Sequence, residues 1–196
     1  TTNVPVVCDM SSDIFSRQLD FTKFDIIYAG AQKNMGPAGT TLVVIKEEIL
    51  GKNGREIPSM LDYAKHIKAE SMYNTPPVFP VYASLLTLQW LKKLGGIAAI
   101  EKINNAKAEL LYNEIDRNPL FKGAAAVEDR SNMNATFLLN NPEHAPIFDT
   151  MWKEAGISGI KGHRSVGGFR SSIYNAMPAE SVKALVAAMR EFEEKH

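Results

Sequence analysis

Short, continuous apolar runs in the first quarter of the chain predict β-strands. These runs are rich in β-branched and aromatic residues and are bounded by Gly, Asp or Ser, the usual composition of strands and their turns. Because they show little alternation of apolar and polar positions, they favour strands in the interior of an α/β sheet. The predicted strands are Val4–Cys8, Phe24–Ala29 and Thr40–Lys46.

Apolar positions at helical spacing dominate the rest of the chain and predict helices that alternate with strands. The clearest predicted helix is Ile97–Arg117, which Asn118-Pro119 would end. From about Leu94 onward the predicted order is helix, strand, helix, strand, helix, so we expect a division of the chain there. The other predicted helices are Val81–Leu94, Ala145–Ala155 and a final one opened by Pro178, and the strands are Thr136–Leu139 and Phe169–Tyr174.

The segment between these regions has the character of a loop. Lys46–Leu50 predicts a short helical turn, and Lys52–Glu70 is a polar stretch. In Asn74-Thr75-Pro76-Pro77 the two prolines can extend neither a helix nor a central strand, so we expect a rigid, exposed loop.

Composition narrows the classes of function. The 196 residues include 22 basic and 22 acidic side chains, so the formal charge is zero and neither nucleic acid nor membrane is an expected partner. Cys8 is the single cysteine, which excludes an internal disulfide, and in an apolar strand we expect it to be buried and inert. No run has the length of a transmembrane helix or the pattern of a signal peptide, which predicts a cytoplasmic protein.

Lys33 and Asp9 carry the strongest chemical signal. Lys33 lies in a loop rich in Gly and Ala just after one predicted strand, and Asp9 ends another. Alone, Lys33 would be a solvated loop lysine and Asp9 a helix-cap or turn acid. As a pair they fit a pyridoxal phosphate site, where an amine forms a Schiff base with the cofactor and an acid pairs with its pyridine nitrogen. Ligands of open α/β sheets bind at the carboxyl ends of strands, which favours this interpretation.

Six motifs occur in one order along the chain, and the last two are not general to pyridoxal phosphate enzymes. They are Asp9-Met10-Ser11-Ser12, Gly30-Ala31-Gln32-Lys33-Asn34, Gly36-Pro37-Ala38-Gly39, Asn74-Thr75-Pro76-Pro77, Lys161-Gly162-His163-Arg164 and Gly167-Gly168-Phe169-Arg170. Together they resemble the phosphoserine aminotransferase family, over essentially all 196 residues but only over that family's C-terminal half. The resemblance implies an α/β, fold-type I aminotransferase. Residues 1–93 would end its large cofactor-binding domain and include an interface loop, and residues 94–196 would form the small α+β domain.

The resemblance implies roles for five residues at the cofactor. Lys33 would hold pyridoxal 5'-phosphate and shuttle a proton, Asp9 would face the ring nitrogen, and Gln32 would contact the phosphate. Asn74 and Thr75 would reach the cofactor phosphate of the neighbouring subunit across a homodimer. On the residues alone, Asn74-Thr75 is equally well a turn before two prolines.

Three further residues would bind the substrate. Arg170 would clamp the α-carboxylate with its planar guanidinium, and His163 and Arg164, from the partner subunit, would bind a phosphate or the γ-carboxylate of glutamate. Without the resemblance, His163-Arg164 could equally belong to an ordinary surface loop.

The implied reaction converts 3-phosphohydroxypyruvate and glutamate to phosphoserine and 2-oxoglutarate, in serine and pyridoxine biosynthesis. The alternatives are another fold-type I enzyme, such as a desulfurase, or an isolated and inactive domain. The start at Thr1-Thr2-Asn3, without the family's N-terminal half, leads us to expect a truncated chain. We also expect His66 and His144 at the surface and Trp90 and Trp152 in helical cores.

Overall fold

The first sheet contains three strands, β1 (Val7–Asp9), β2 (Ile26–Gly30) and β3 (Thr41–Ile45). β1 and β2 run parallel, with Asp9 opposite Tyr28, and β2 and β3 run antiparallel. The carboxyl ends of β1 and β2 therefore meet at the same edge of the sheet. All three strands were predicted, but β1 is shorter than expected, because the amide of Val6 donates to the carboxylate of Asp25 at 2.7 Å instead of extending the ladder.

The computed structural model describes residues 4–52, 54–164 and 167–196, and the expectation about the chain start at Thr1–Asn3 lies outside them. The chain separates into two compact units, Thr1–Leu94 and Gly95–His196. None of the helices in the described ranges has the length and apolarity needed to cross a membrane.

The described residues cover the first sheet only in part. Ile27 and Ala29 are buried in a small cluster with Met10, Ile14 and Met35. On the opposite face Val7 is 57% exposed, and Val44, which pairs with Ile27 on the same face as this cluster, is still 44% exposed. The prediction of fully interior strands is therefore wrong for the chain taken alone, although the continuous apolar composition of the strands is real.

The helices of the first unit begin earlier than predicted. A short helix, α1 (Tyr63–Lys68), lies inside the stretch expected to be merely polar, and the Asp62 side chain caps it by accepting from the amide of Ala64. α2 (Val78–Lys93) begins three residues before the predicted start, since Pro80 lies in the first turn, where its missing amide costs nothing. The predicted turn after β3 is confirmed as a 3-10 turn, Glu47–Ile49.

α2 exposes most of its apolar side chains. Trp90 is 41% exposed, so the prediction that it packs in a core is wrong for this chain. Its exposed apolar neighbours on the same helix are Val78, Phe79, Val81, Tyr82, Leu85 and Leu86.

The second unit is an α+β layer around an antiparallel sheet. Its helices are α3 (Gly96–Arg117), α4 (Ala145–Glu154) and α5 (Ala179–Lys195), and its strands are β4 (Phe121–Gly123), β5 (Asn134–Leu139) and β6 (Phe169–Ser172), in the order β4-β5-β6. The three helices were predicted to within a residue or two. β4 was not predicted, which corrects the expected order.

Aromatic side chains fill the core of the second unit. The rings of Phe121, Phe148 and Phe192 lie 5.1–6.0 Å apart. Trp152 is 5% exposed, as predicted. Both histidines predicted at the surface are half-buried: the ring of His144 packs edge-on against Phe192, and His66 bonds to the backbone oxygen of Met60.

Glu114 on α3 is a buried carboxylate that joins α3 to α5. It accepts from Arg117 at 2.7 Å, from Asn118 at 3.1 Å and from Arg190 of α5 at 2.9 Å. Burial alone would raise the pKa of Glu114, but the hydrogen bonds from the two arginines and Asn118 outweigh it and lower the pKa.

Lys107 on α3 is 1% exposed and has no carboxylate partner among the described residues. Its Nζ donates instead to the backbone oxygens of Ile173, Tyr174 and Met177 at 3.0, 2.8 and 3.1 Å. These residues connect β6 to α5. Burial lowers the pKa of Lys107 to about 8.

Candidate active site

Asp9 and the turn that carries Lys33 lie at the carboxyl ends of two parallel strands. Asp9 is the last residue of β1, and the turn follows Gly30, the last residue of β2. The turn is closed by the amides of Met35 and Gly36, which both donate to the carbonyl of Ala31 at 3.1 and 2.8 Å. Lys33 is exposed on this turn, at the sheet edge where ligands bind in α/β folds.

Ser11 orients the carboxylate of Asp9. Its amide donates to Asp9 Oδ1 at 2.9 Å, and its Oγ donates to the same oxygen at 2.6 Å. These two bonds from Ser11 lower the pKa of Asp9, and the Tyr28 hydroxyl and the charge of Lys33 act in the same direction. The carboxylate is therefore ionised at neutral pH. The amide contact is also the turn interaction that the sequence left open as an alternative for Asp9.

The side chain of Asn34 joins the Lys33 turn to the segment that follows β1. Its side-chain amide donates to the carbonyls of Ser12 at 3.1 Å and Ile14 at 3.2 Å, and the residue is buried. The segment after Asp9 and the segment around Lys33 are thereby joined at two places, through Ser11 and through Asn34. The sequence motifs contain both residues, but no structural role was predicted for either. The burial of one amide or one hydroxyl does not show in the spacing of apolar and polar residues.

Gly30 and Gln32 make a close contact in the same turn. A Cβ placed on Gly30 would lie 2.5 Å from Gln32 Oε1, so the Gln32 side chain fits over this position only because the residue is glycine. The carboxylate of Asp9, the amine of Lys33 and the amide of Gln32 thus lie at one sheet edge, where a ligand can approach the backbone at Gly30. That donor set fits pyridoxal phosphate, which needs an acid at its ring nitrogen, an amine at its aldehyde and donors at its phosphate.

Asn74 and Thr75 lie on an exposed loop that leads into α2, as predicted. Asn74 Nδ2 donates to the Thr75 carbonyl at 3.3 Å, and Asn74 lines a cavity of about 690 Å³ beside Gly39 and Tyr82. None of the described contacts of these two residues joins them to Asp9 or Lys33. The structure therefore does not bring this pair together with the lysine of its own chain.

The predicted anion-binding residues belong to the second unit. Arg170 on β6 and His163 line one cavity of about 260 Å³, together with Thr136 and Gly162. The cavity wall is a narrow hairpin, in which the Gly162 amide donates to the Gly168 carbonyl at 2.8 Å. A Cβ on Gly162 would lie 2.0 Å from the Gly167 oxygen, so this turn requires glycine.

Arg164 is exposed and is not among the residues lining that cavity. The structure therefore groups His163 with Arg170 and leaves Arg164 on the adjacent surface. All the predicted site residues lie in the described ranges. The five cofactor residues lie in the first unit, three of them at or just after a strand end, and the three substrate residues lie in the second unit.

Comparison with known proteins gives a consistent result. The family model for "Aminotransferase class-V" matches residues 1–185. A curated phosphoserine aminotransferase from Flavobacterium johnsoniae is 80% identical over 195 residues, which cover 100% of this chain and 55% of that protein. One from Bacteroides thetaiotaomicron is 56% identical over 98% of this chain and 55% of its own length. The chain therefore spans about half the length of the curated relatives it matches.

Solved structures agree with the curated relatives. Phosphoserine aminotransferase from Bacillus circulans subsp. alkalophilus superposes with a TM-score of 0.94 at 43% identity, over 100% of this chain and 54% of that one. The PLP-bound enzyme from Trichomonas vaginalis gives a TM-score of 0.88 at 37% identity, over 97% of this chain and 55% of that one. The α/β architecture is that of a fold-type I, PLP-dependent aminotransferase, and the chain belongs to the class-V aminotransferase family.

Proposed function

We propose that this chain, within a protein of its relatives' full length, acts in phosphoserine transamination. The reaction takes 3-phosphohydroxypyruvate and glutamate to phosphoserine and 2-oxoglutarate, as part of serine biosynthesis. The observation that carries the proposal is the meeting of Asp9 and the Lys33 turn at one sheet edge. The names of the relatives, at up to 80% identity, support the choice of substrate.

Pyridoxal 5'-phosphate would supply an electron-withdrawing ring that stabilises negative charge at the substrate α-carbon. Lys33 Nζ would hold the cofactor and then carry a proton to and from that carbon. Asp9, kept ionised by Ser11, would pair with the ring nitrogen and keep it protonated. Gln32, folded over Gly30, would donate to the cofactor phosphate.

Arg170 would bind the substrate α-carboxylate, because a guanidinium on a strand offers two parallel donors in a fixed plane. In the partner subunit's site, His163 and Arg164 would bind the distal anion, which is a phosphate in one half-reaction and a carboxylate in the other. The His163-Arg164 pair favours a phosphorylated substrate over that of an enzyme such as a desulfurase, because it adds an anion site that can take a phosphate. Serine biosynthesis, pyridoxine biosynthesis and a cytoplasmic location remain predictions for the whole protein.

We further propose that the whole protein is a homodimer with shared sites. The apolar face of α2 and the exposed Asn74-Thr75 loop that precedes it support this, since large apolar patches mark interfaces. The isolated chain would be inactive, because Lys33 is exposed and apolar residues on both faces of the first sheet are uncovered.

Replacement of Lys33 tests the function. In the full-length protein, Lys33→Ala removes the amine that holds the cofactor, and turnover should fall by more than about a thousandfold with loss of the bound cofactor's visible absorbance. The matched control is Lys23→Ala, which removes an exposed lysine from a 3-10 turn in the same unit and should leave both readouts unchanged. Retained turnover in Lys33→Ala would refute the assignment.

A further inference from the structure

The side chain of Ser11 contacts both strand ends of the candidate site. Its Oγ lies 2.6 Å from Asp9 Oδ1 and 3.0 Å from the amide nitrogen of Gly30, and the residue is buried. Asp9 ends β1, and Gly30 ends β2 and leads into the turn that carries Lys33. One hydroxyl therefore joins the acid to the backbone from which the amine is presented.

The direction of this hydrogen-bond chain is fixed. An amide N–H can only donate, so the Gly30 amide gives its hydrogen to Ser11 Oγ, and the hydroxyl hydrogen of Ser11 is left for the Asp9 carboxylate. Hydrogen bonds in such a chain polarise one another, and a bond to an ionised carboxylate is stronger than one between neutral groups. The Ser11 amide adds a second bond to the same oxygen at 2.9 Å. Two donors on Oδ1 fix the rotation of the carboxylate.

We propose that Ser11 is a positioning residue that acts through Asp9, holding the carboxylate in the orientation and charge state needed to pair with the cofactor's ring nitrogen. This rests on the proposed function, since it concerns the same site. Ser11 itself contacts neither cofactor nor substrate in this scheme. The lowered pKa of Asp9, to which the Ser11 side chain contributes most, agrees with the geometry.

The neighbouring serine provides a comparison within the same motif. Ser12 also follows β1, but only its backbone carbonyl takes part in the described contacts, as an acceptor for Asn34 at 3.1 Å. Replacing its side chain leaves that carbonyl in place. Ser12→Ala therefore removes a hydroxyl one residue away without touching the chain from Gly30 to Asp9.

Cofactor dissociation in the full-length protein is the first measurement. Ser11→Ala should raise the dissociation constant of pyridoxal 5'-phosphate by about tenfold, the usual scale for losing a bond to a charged group, and Ser12→Ala should change it by less than about twofold. kcat should fall while KM for glutamate stays within about twofold, because the substrate contacts are unchanged. Equal affinities in Ser11→Ala and the unmutated protein would overturn the proposal.

A double-mutant cycle shows whether Ser11 acts through Asp9. In an Asp9→Asn background the carboxylate is gone, so adding Ser11→Ala should weaken cofactor binding by less than about twofold. A further tenfold loss in that background would mean that Ser11 acts by another route, and the proposal would be wrong.

Thermal unfolding of the cofactor-free protein separates positioning from general stability. Ser11→Thr keeps the hydroxyl and should restore the dissociation constant to within about threefold of the unmutated value. If the cofactor affinity instead falls in step with the melting temperature across Ser11→Ala, Ser11→Thr and Ser12→Ala, the role of Ser11 is structural and the proposal fails.

Failure of the proposed function would give a different result, because then the unmutated protein itself does not bind the cofactor.

Discussion

Gly30 leaves the space that the Gln32 side chain occupies at the candidate site. A methyl group there would collide with the tip of the Gln32 side chain, 2.5 Å away, rather than with backbone. Gly30→Ala should therefore displace Gln32 and weaken cofactor binding by about fivefold to tenfold, with a change in the free energy of unfolding below about 1 kcal/mol. Cofactor titration and urea unfolding measure the two effects.

Gln32→Ala is the matched variant for this prediction. If Gly30 acts only by leaving room for Gln32, the two variants should lose similar affinity, and the double variant should lose no more than either. Unfolding of Gly30→Ala at a much lower urea concentration would contradict the prediction, since it would place the collision on the backbone.

Single residues were predictable from the sequence where their chemistry is rare. Lys33 and Asp9 were predicted as site residues because an amine and an acid seldom follow apolar strands, and the structure places both at one sheet edge, while their roles stay a prediction. Ser11 and Asn34 were not given roles, because serine and asparagine near a turn are common and their burial depends on the packing of segments about 20 residues apart. The direct contacts of a site are thus easier to predict than the residues that support them.

Among the elements, α3 and α5 are joined by the buried carboxylate of Glu114. The spacing of apolar residues along a helix does not predict such a contact. Glu114→Gln keeps the shape of the side chain but removes the charge that Arg117 and Arg190 meet, so we expect a loss of about 1–2 kcal/mol in the free energy of unfolding at pH 7. The two arginines are half-exposed and can turn to water, which limits the loss.

The pH dependence of that loss follows from the lowered pKa of Glu114. Because the folded-state pKa lies below the ordinary value of 4.5, the unfolded chain binds more protons as the pH falls below that value. The stabilisation by Glu114 is therefore present above about pH 4.5 and is lost as the pH falls through the folded-state pKa. Urea unfolding of both proteins at pH 7 and pH 4 should show the difference shrinking, and a constant difference would contradict it.

Long, periodic elements were predictable and short ones were not. The buried face of α5, which includes Val182, Leu185 and Phe192, repeats at helical spacing, and the helix was predicted. β4 has three residues, of which only Phe121 is buried, and so offers no period to detect. α1 was missed because its six residues are exposed or half-buried and follow a polar segment.

At the scale of the whole molecule, the shared-site proposal can be tested with a mixed dimer. One full-length subunit carries Lys33→Ala and the other carries Arg164→Ala. If Arg164 serves the partner's site, one of the two sites keeps both groups, and the heterodimer should have about half the activity of an unmutated dimer. Each variant alone, as a homodimer, should be inactive or severely impaired.

An inactive heterodimer, verified by mass, would mean that Arg164 serves its own subunit. The division of the chain near Leu94 was expected from the change in pattern, whereas the exposed apolar residues of the first sheet and of α2 were not. Apolar composition predicts that Val44 and Trp90 are covered, but it cannot say whether the covering residues belong to the same chain.

Lys107 has a consequence for chemical labelling. Amine-reactive reagents attack a neutral amine that they can reach, and the burial that lowers the pKa of Lys107 to about 8 also keeps such reagents away from it. Its burial and its three carbonyl partners prevent the reaction while α3 and the connection from β6 to α5 stay together. The rate of acylation at this one lysine would then measure how often the second unit opens, so no reporter group has to be introduced into the protein.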